Sequence, residues 1–143
     1  PMSIRTLALV SATVAASAAS AGLFNVNSTL LPGNEVPPVS SPATGTVVGT
    51  YDDVTNILTI DVNATGFLSN VTAAHIHGFS AAGVNSGVRF GFGTTGTGST
   101  TYSRTGLTFT IPEGDEANYL AGLSYVNIHT SGNTGGEVRG QLN

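Results

Sequence analysis

From Leu23 onward, apolar and polar residues alternate in short runs, and a cluster of Gly, Pro, Asn or Asp closes each run. A helix needs apolar residues recurring at three- and four-residue spacing over several turns. No long segment here provides that, so the body of the chain is restricted to strands and turns. The alternation predicts strands near 23–30, 44–51, 57–62, 71–77, 87–92, 105–111, 124–129 and 137–142. Between them lie turn clusters such as Pro32-Gly33-Asn34, Asp52-Asp53, Asn63-Ala64-Thr65-Gly66 and Ser131-Gly132-Asn133, which supply the backbone angles that reversals need. Pro37-Pro38 bars a central strand there. One exception is expected at Pro112–Gly122, where acids precede Ala117-Asn118-Tyr119-Leu120 as at the start of a one- or two-turn helix. The Gly/Thr/Ser-rich stretch 91–106 is expected as a long flexible loop. Eight short strands at this spacing predict an all-β Greek-key sandwich or flattened barrel.

Length and composition limit function as well as fold. The 143 residues make one domain, residues 22–143, behind an N-terminal extension. With no cysteine, disulfides, thiolate metal sites and thiol nucleophiles are excluded. Charged residues are only 8% of the chain, and four arginines with no lysine face eight carboxylates. That balance offers no footprint for the phosphates of a nucleic acid. No Gly-x-Ser-x-Gly elbow occurs, and the Gly-rich stretch 91–98 lacks the lysine of a phosphate loop. Asp52-Asp53 and Asp115-Glu116 pair carboxylates, but each sits in a turn or at a helix start, where it has a structural use.

Residues 1–21 carry two readings. Arg5, the apolar run Leu7-Ala8-Leu9-Val10 and the small-residue site Ala19-Ser20-Ala21 form the pattern of a secretory signal peptide, too short and too polar to span a bilayer. If retained, Val10, Ala12, Val14, Ala16 and Ala18 share one face at period two. Such a segment would be an assembly strand that pairs into a neighbouring copy and builds a filament, with an Ala-rich helix as the competing reading. Secretion agrees with three glycosylation sequons, at Asn27, Asn63 and Asn70, which would carry glycans in a glycosylating host.

Three histidines are the only residues that invite chemistry. In Val71-Thr72-Ala73-Ala74-His75-Ile76-His77, alternation puts His75 and His77 on one face and Ala74 and Ile76 on the other. In Ser124–His129, Val126 and Ile128 take the core face and His129 points outward. Two imidazoles at i, i+2 and a third from another strand can form a three-nitrogen metal site. The same residues have a structural use, donating to loop carbonyls or to Glu35, with Arg139 pairing to Glu35 or Glu137 as a clamp on the outside of the sheet.

Four motifs in order, Leu31-Pro32-Gly33-Asn34-Glu35-Val36-Pro37-Pro38, Ala74-His75-Ile76-His77-Gly78, Tyr125-Val126-Asn127-Ile128-His129-Thr130 and Gly136-Glu137-Val138-Arg139-Gly140-Gln141-Leu142, resemble the CHRD domain family. This resemblance covers about residues 30–143 and implies a secreted, all-β extracellular module with no established catalytic activity. More distantly, the His-x-His strand and the late strand ending in His129 are similar to the copper ligands of Cu,Zn superoxide dismutase. That likeness implies copper on His75, His77 and His129. It implies no dismutase reaction, because the chain has neither a fourth histidine to bridge a zinc nor the disulfide cysteines. The expected function is a non-enzymatic structural module of a cell-surface or matrix assembly, with a copper-binding protein as the alternative.

Overall fold

A computed structural model describes residues 22–143. The signal-peptide and assembly-strand readings, with Val10, Ala12, Val14, Ala16 and Ala18, lie outside the described residues.

Eight strands form two antiparallel four-stranded sheets. They are β1 (Leu23–Leu30), β2 (Thr44–Asp52), β3 (Ile57–Thr65), β4 (Val71–His77), β5 (Val88–Gly91), β6 (Tyr102–Thr110), β7 (Tyr125–Thr130) and β8 (Val138–Gln141). One sheet has the order β1-β2-β3-β6 and the other β5-β4-β7-β8. A short helix α1 (Glu116–Leu120), entered through a 3-10 turn at Glu113–Asp115, buries Tyr119 under the sandwich where the brief helix was expected. The inward positions of both sheets meet in one core containing Leu30, Val47, Leu58, Ile60, Val62, Ala74, Ile76, Val126, Ile128 and Val138. These are the alternate residues of each run, so period-two burial produces the layered fold. Along one side the sandwich closes into a flattened barrel. Asn27 and Asn143 exchange backbone hydrogen bonds at 2.8 and 3.1 Å, and Leu31 and Arg139 do so at 3.0 and 3.1 Å.

The structure corrects the loop expected over 91–106. The stretch 91–106 is not a long free loop: β6 begins at Tyr102, and the segment before it is tied down. Phe92 is buried, Gly98 N–H donates to Val71 O at 2.8 Å, and Val71 N–H donates to Ser99 O at 2.8 Å. Gly and Thr give the stretch a loop-like composition, but Tyr102 and Leu107 fill core positions and draw the chain into the sheet. The β3–β6 register shifts between Ile60 and Val62, and there Gly106, at φ +64°, donates its N–H to Asp61 Oδ1 at 2.7 Å. A side chain would resist that angle, so the glycine belongs to the bulge. The paired acids have structural partners. Asp52 accepts from the N–H groups of Val54 and Thr55, Asp53 accepts from Gly22 N–H, Asp115 pairs with Arg89, and Glu116 accepts from the Tyr51 hydroxyl.

Candidate metal centre

The outer face of the β5-β4-β7-β8 sheet is a grid fixed by register. His75 lies opposite Asn127, which lies opposite Arg139; His77 lies opposite Tyr125, which lies opposite Gln141; Ala73 lies opposite His129. Alternation therefore brings the three histidines onto one face. They point away from the core but are not all exposed, because loops cover the grid. His77, Asn127 and Arg139 are buried, and His75 and His129 are half-buried.

The imidazoles gather in one place. Ring centroids are 4.9 Å apart for His75 and His129, 5.6 Å for His75 and His77, and 6.0 Å for His77 and His129. One nitrogen from each ring lies within 4.8 Å of the others. Their second nitrogens fix the tautomers. His77 Nδ1 is 2.9 Å from Ser86 O and His129 Nδ1 is 2.9 Å from Thr134 O. A carbonyl only accepts, so both Nδ1 atoms carry protons and both Nε2 atoms carry lone pairs. His75 Nδ1 lies 3.0 Å from His129 Nε2, to which it donates. Among the described residues, the buried Nε2 of His77 has no hydrogen-bond partner. Burial lowers all three imidazole pKa values below the ordinary range. For His75 the neighbouring charges of His129 and His77 add to it. For His77 the bond to Ser86 opposes it, and for His129 the bond to Thr134 does. The rings are thus held neutral, the form in which imidazole is a ligand.

Around them runs a polar clamp that differs from the pairing expected of Glu35, Glu137 and Arg139. Arg139 forms no ion pair; the ion pair among the described residues is Arg89–Asp115. Instead Arg139 Nη2 donates to Val84 O at 2.7 Å, Nη1 donates to Asn85 Oδ1 at 3.1 Å, and the guanidinium carbon sits 3.4 Å from the centroid of the Tyr125 ring. Gln141 holds the same loop through Ser80 O at 3.1 Å. Glu35 takes both Nδ2 bonds of Asn127, at 2.9 and 3.1 Å. Burial pushes its carboxyl up to about 7, against the opposing pull of Arg139 and Asn127. Glu137 turns to the other side and accepts from Ser41, Leu68 N–H, Thr130 and Asn133. Gly136, at φ +128°, lets the chain pass over this pair, since a Cβ there would lie 2.6 Å from Glu35 Oε1.

Sequence reasoning missed Tyr125 and Asn127. Both alternate with Val126 and Ile128 on the strand that carries His129, so the same period-two argument would have placed them on the grid. Asn27 and Asn63 are exposed on β1 and β3, and Asn70 is exposed just before β4, with no convergence on the histidines. Among the described residues, no helix is long and apolar enough to cross a membrane.

The family model for the CHRD domain matches residues 26–142. Neither the curated proteins nor the solved structures contain a match.

Proposed function

Because the chain belongs to the CHRD domain family, a family of non-enzymatic extracellular modules, we propose that it is an extracellular module that binds a copper-type metal ion through His75 Nδ1, His77 Nε2 and His129 Nε2. The observation that carries this reading is the buried, unpartnered Nε2 of His77 facing two further imidazole nitrogens. A buried polar atom without a partner costs about 1–3 kcal/mol, and a metal ion satisfies it. The carbonyls of Ser86 and Thr134 accept from the far nitrogens of two of the three ligands and so orient those rings. His75 completes the set by moving its proton to Nε2. The test is metal analysis and copper titration of the wild type against His77→Ala. Wild type is expected to take up one ion per chain and the variant to lose it; equal uptake by both ends the proposal.

The assembly reading of the extension has its own support. β1 lies at the edge of its sheet, and Leu23 and Phe24, ahead of the closure at Asn27, are exposed. The short open part of that edge, ahead of Asn27, offers backbone groups to a strand from a neighbour. Size-exclusion chromatography of the full chain against a deletion of residues 2–18 tests it, with the full chain expected to associate and the deletion to stay monomeric. Exposure of Asn27, Asn63 and Asn70 makes each available for glycosylation, which intact mass from a glycosylating host would reveal.

A further inference from the structure

The candidate ligands are all neutral imidazoles. Among the described residues, no carboxylate or thiolate joins the cluster to offset the charge of an ion. Behind it stands a cation. The Tyr125 ring stacks on His77 with centroids 4.9 Å apart and planes 8° apart, and the Arg139 guanidinium lies over the same ring. Because β7 runs between β4 and β8, His77 and Arg139 approach Tyr125 from opposite sides. The result is a column of imidazole, phenol and guanidinium. Arg139 is 1% exposed, and its guanidinium offers donors only. Its hydrogen bonds go to the neutral acceptors Val84 O, Asn85 Oδ1 and Gln141 Oε1. Glu35, the acid whose field it feels, is directed at Asn127 instead.

We infer that this site selects copper in the monovalent state over divalent copper and zinc, with Arg139 acting through Tyr125 as the residue that sets the preference. The inference rests on the metal-site reading above. Two effects act in one direction. A monovalent d10 ion is satisfied by three nitrogens alone, whereas divalent copper and zinc must also draw in water, to fill a tetragonal set and a tetrahedron respectively, beside a half-buried cluster. The second effect is charge. A fixed unit charge on the order of 10 Å away, at an effective dielectric of about 20, changes the relative affinity for ions differing by one charge roughly tenfold.

The experiment titrates the full chain anaerobically with monovalent copper against a colorimetric chelator, and separately with divalent copper and with zinc. Monovalent copper is expected to bind roughly tenfold or more tighter than either divalent ion. Arg139→Gln should narrow the ratio between the copper states about tenfold, and Arg139→Lys, which keeps the charge, should restore most of it. If either divalent ion binds as tightly as monovalent copper, the selectivity is overturned while the metal site stands. Failure of all three ions to bind overturns both. A folded Arg139→Gln with the wild-type ratio overturns the role of the column. Should that variant fail to fold, Tyr125→Leu, which removes the ring between guanidinium and imidazole, decides the role of the column: a narrowed ratio supports it and the wild-type ratio overturns it.

Discussion

Glu35→Gln isolates a single buried acid and lets its energetic effect be read from pH. In the folded chain the Glu35 carboxyl is pushed from 4.5 to about 7, chiefly by burial. Each unit corresponds to about 1.36 kcal/mol, so the full shift is worth about 3 kcal/mol. Its sign follows from proton counting. Between 4.5 and 7 the folded state holds a proton that the unfolded state has released, so stability falls as pH rises through that window. Below pH 4.5 both states are protonated and there is no penalty. Glutamine cannot ionise but can still accept from Asn127 Nδ2. Relative to wild type, the variant should therefore gain about 3 kcal/mol between about pH 4 and pH 8, roughly 10 °C in Tm for a chain of this size. The histidines also titrate near this range, but they are present in both proteins and cancel in the difference. The assay is urea unfolding of both proteins at closely spaced pH values. A stability difference that does not change with pH refutes the burial argument. A variant that becomes relatively less stable as pH rises shows instead an ionised Glu35 held by Arg139.

Glu137 makes the opposite case: burial alone would raise its pKa, but hydrogen bonds from Ser41, Thr130, Leu68 N–H and Asn133 hold it below the ordinary carboxylate value. Its stabilisation is therefore present at neutral pH and lost as pH falls through the acid range, and Glu137→Gln should cost about 1–3 kcal/mol at about pH 7 and less in acid, as read by urea unfolding. Gly49→Ala should destabilise by about 1–3 kcal/mol, because the new Cβ would lie 2.8 Å from Ile60 Cα across the β2–β3 pair; an unchanged Tm contradicts that packing. Copper affinity should hold steady as pH falls through the ordinary imidazole range and drop only at lower pH, since burial lowers all three histidines. An affinity already falling between about pH 7.5 and 6.5 in titrations contradicts the geometry.

Period-two alternation is enough to place most of the strands, because the core takes alternate residues, such as Leu58, Ile60, Val62 and Ala64 on β3 and Val126 and Ile128 on β7. It is also enough to bring His75, His77 and His129 onto one face. What alternation does not encode is the third dimension above that face. Arg139 and Asn127 point away from the core and so read as exposed, yet loops from residues 31–41, 78–87 and 131–137 bury them. Those loops contain Gly, Ser, Pro and Asn, whose partners are backbone carbonyls and distant side chains. Such contacts leave no periodic mark on the sequence. Opposite charges suggest pairing Arg139 with an acid. The structure instead gives the arginine to neutral carbonyl acceptors and the acids to amide and hydroxyl donors.

The histidines themselves decide between a clamp and a metal site. If their work were only to hold loops, each ring would use its nitrogens on loop atoms, as His129 does with Thr134 and His77 does with Ser86 through Nδ1. His75 breaks that pattern: its Nδ1 is directed at another imidazole rather than at a loop. His77 breaks it further, because its Nε2 is buried with no partner while an aromatic ring packs flat on its face. A loop clamp gains nothing from an unsatisfied buried acceptor, and leucine or phenylalanine at this position would fill the same space without that cost. The substitution His77→Phe should therefore leave the fold as stable as wild type, or more so, in metal-free buffer, while removing copper-dependent stabilisation. Wild type should gain stability on adding copper, in proportion to the logarithm of free ion over Kd. A His77→Phe variant that loses several kcal/mol without metal would return His77 to the clamp, and a wild type whose Tm ignores copper would do the same for the whole cluster.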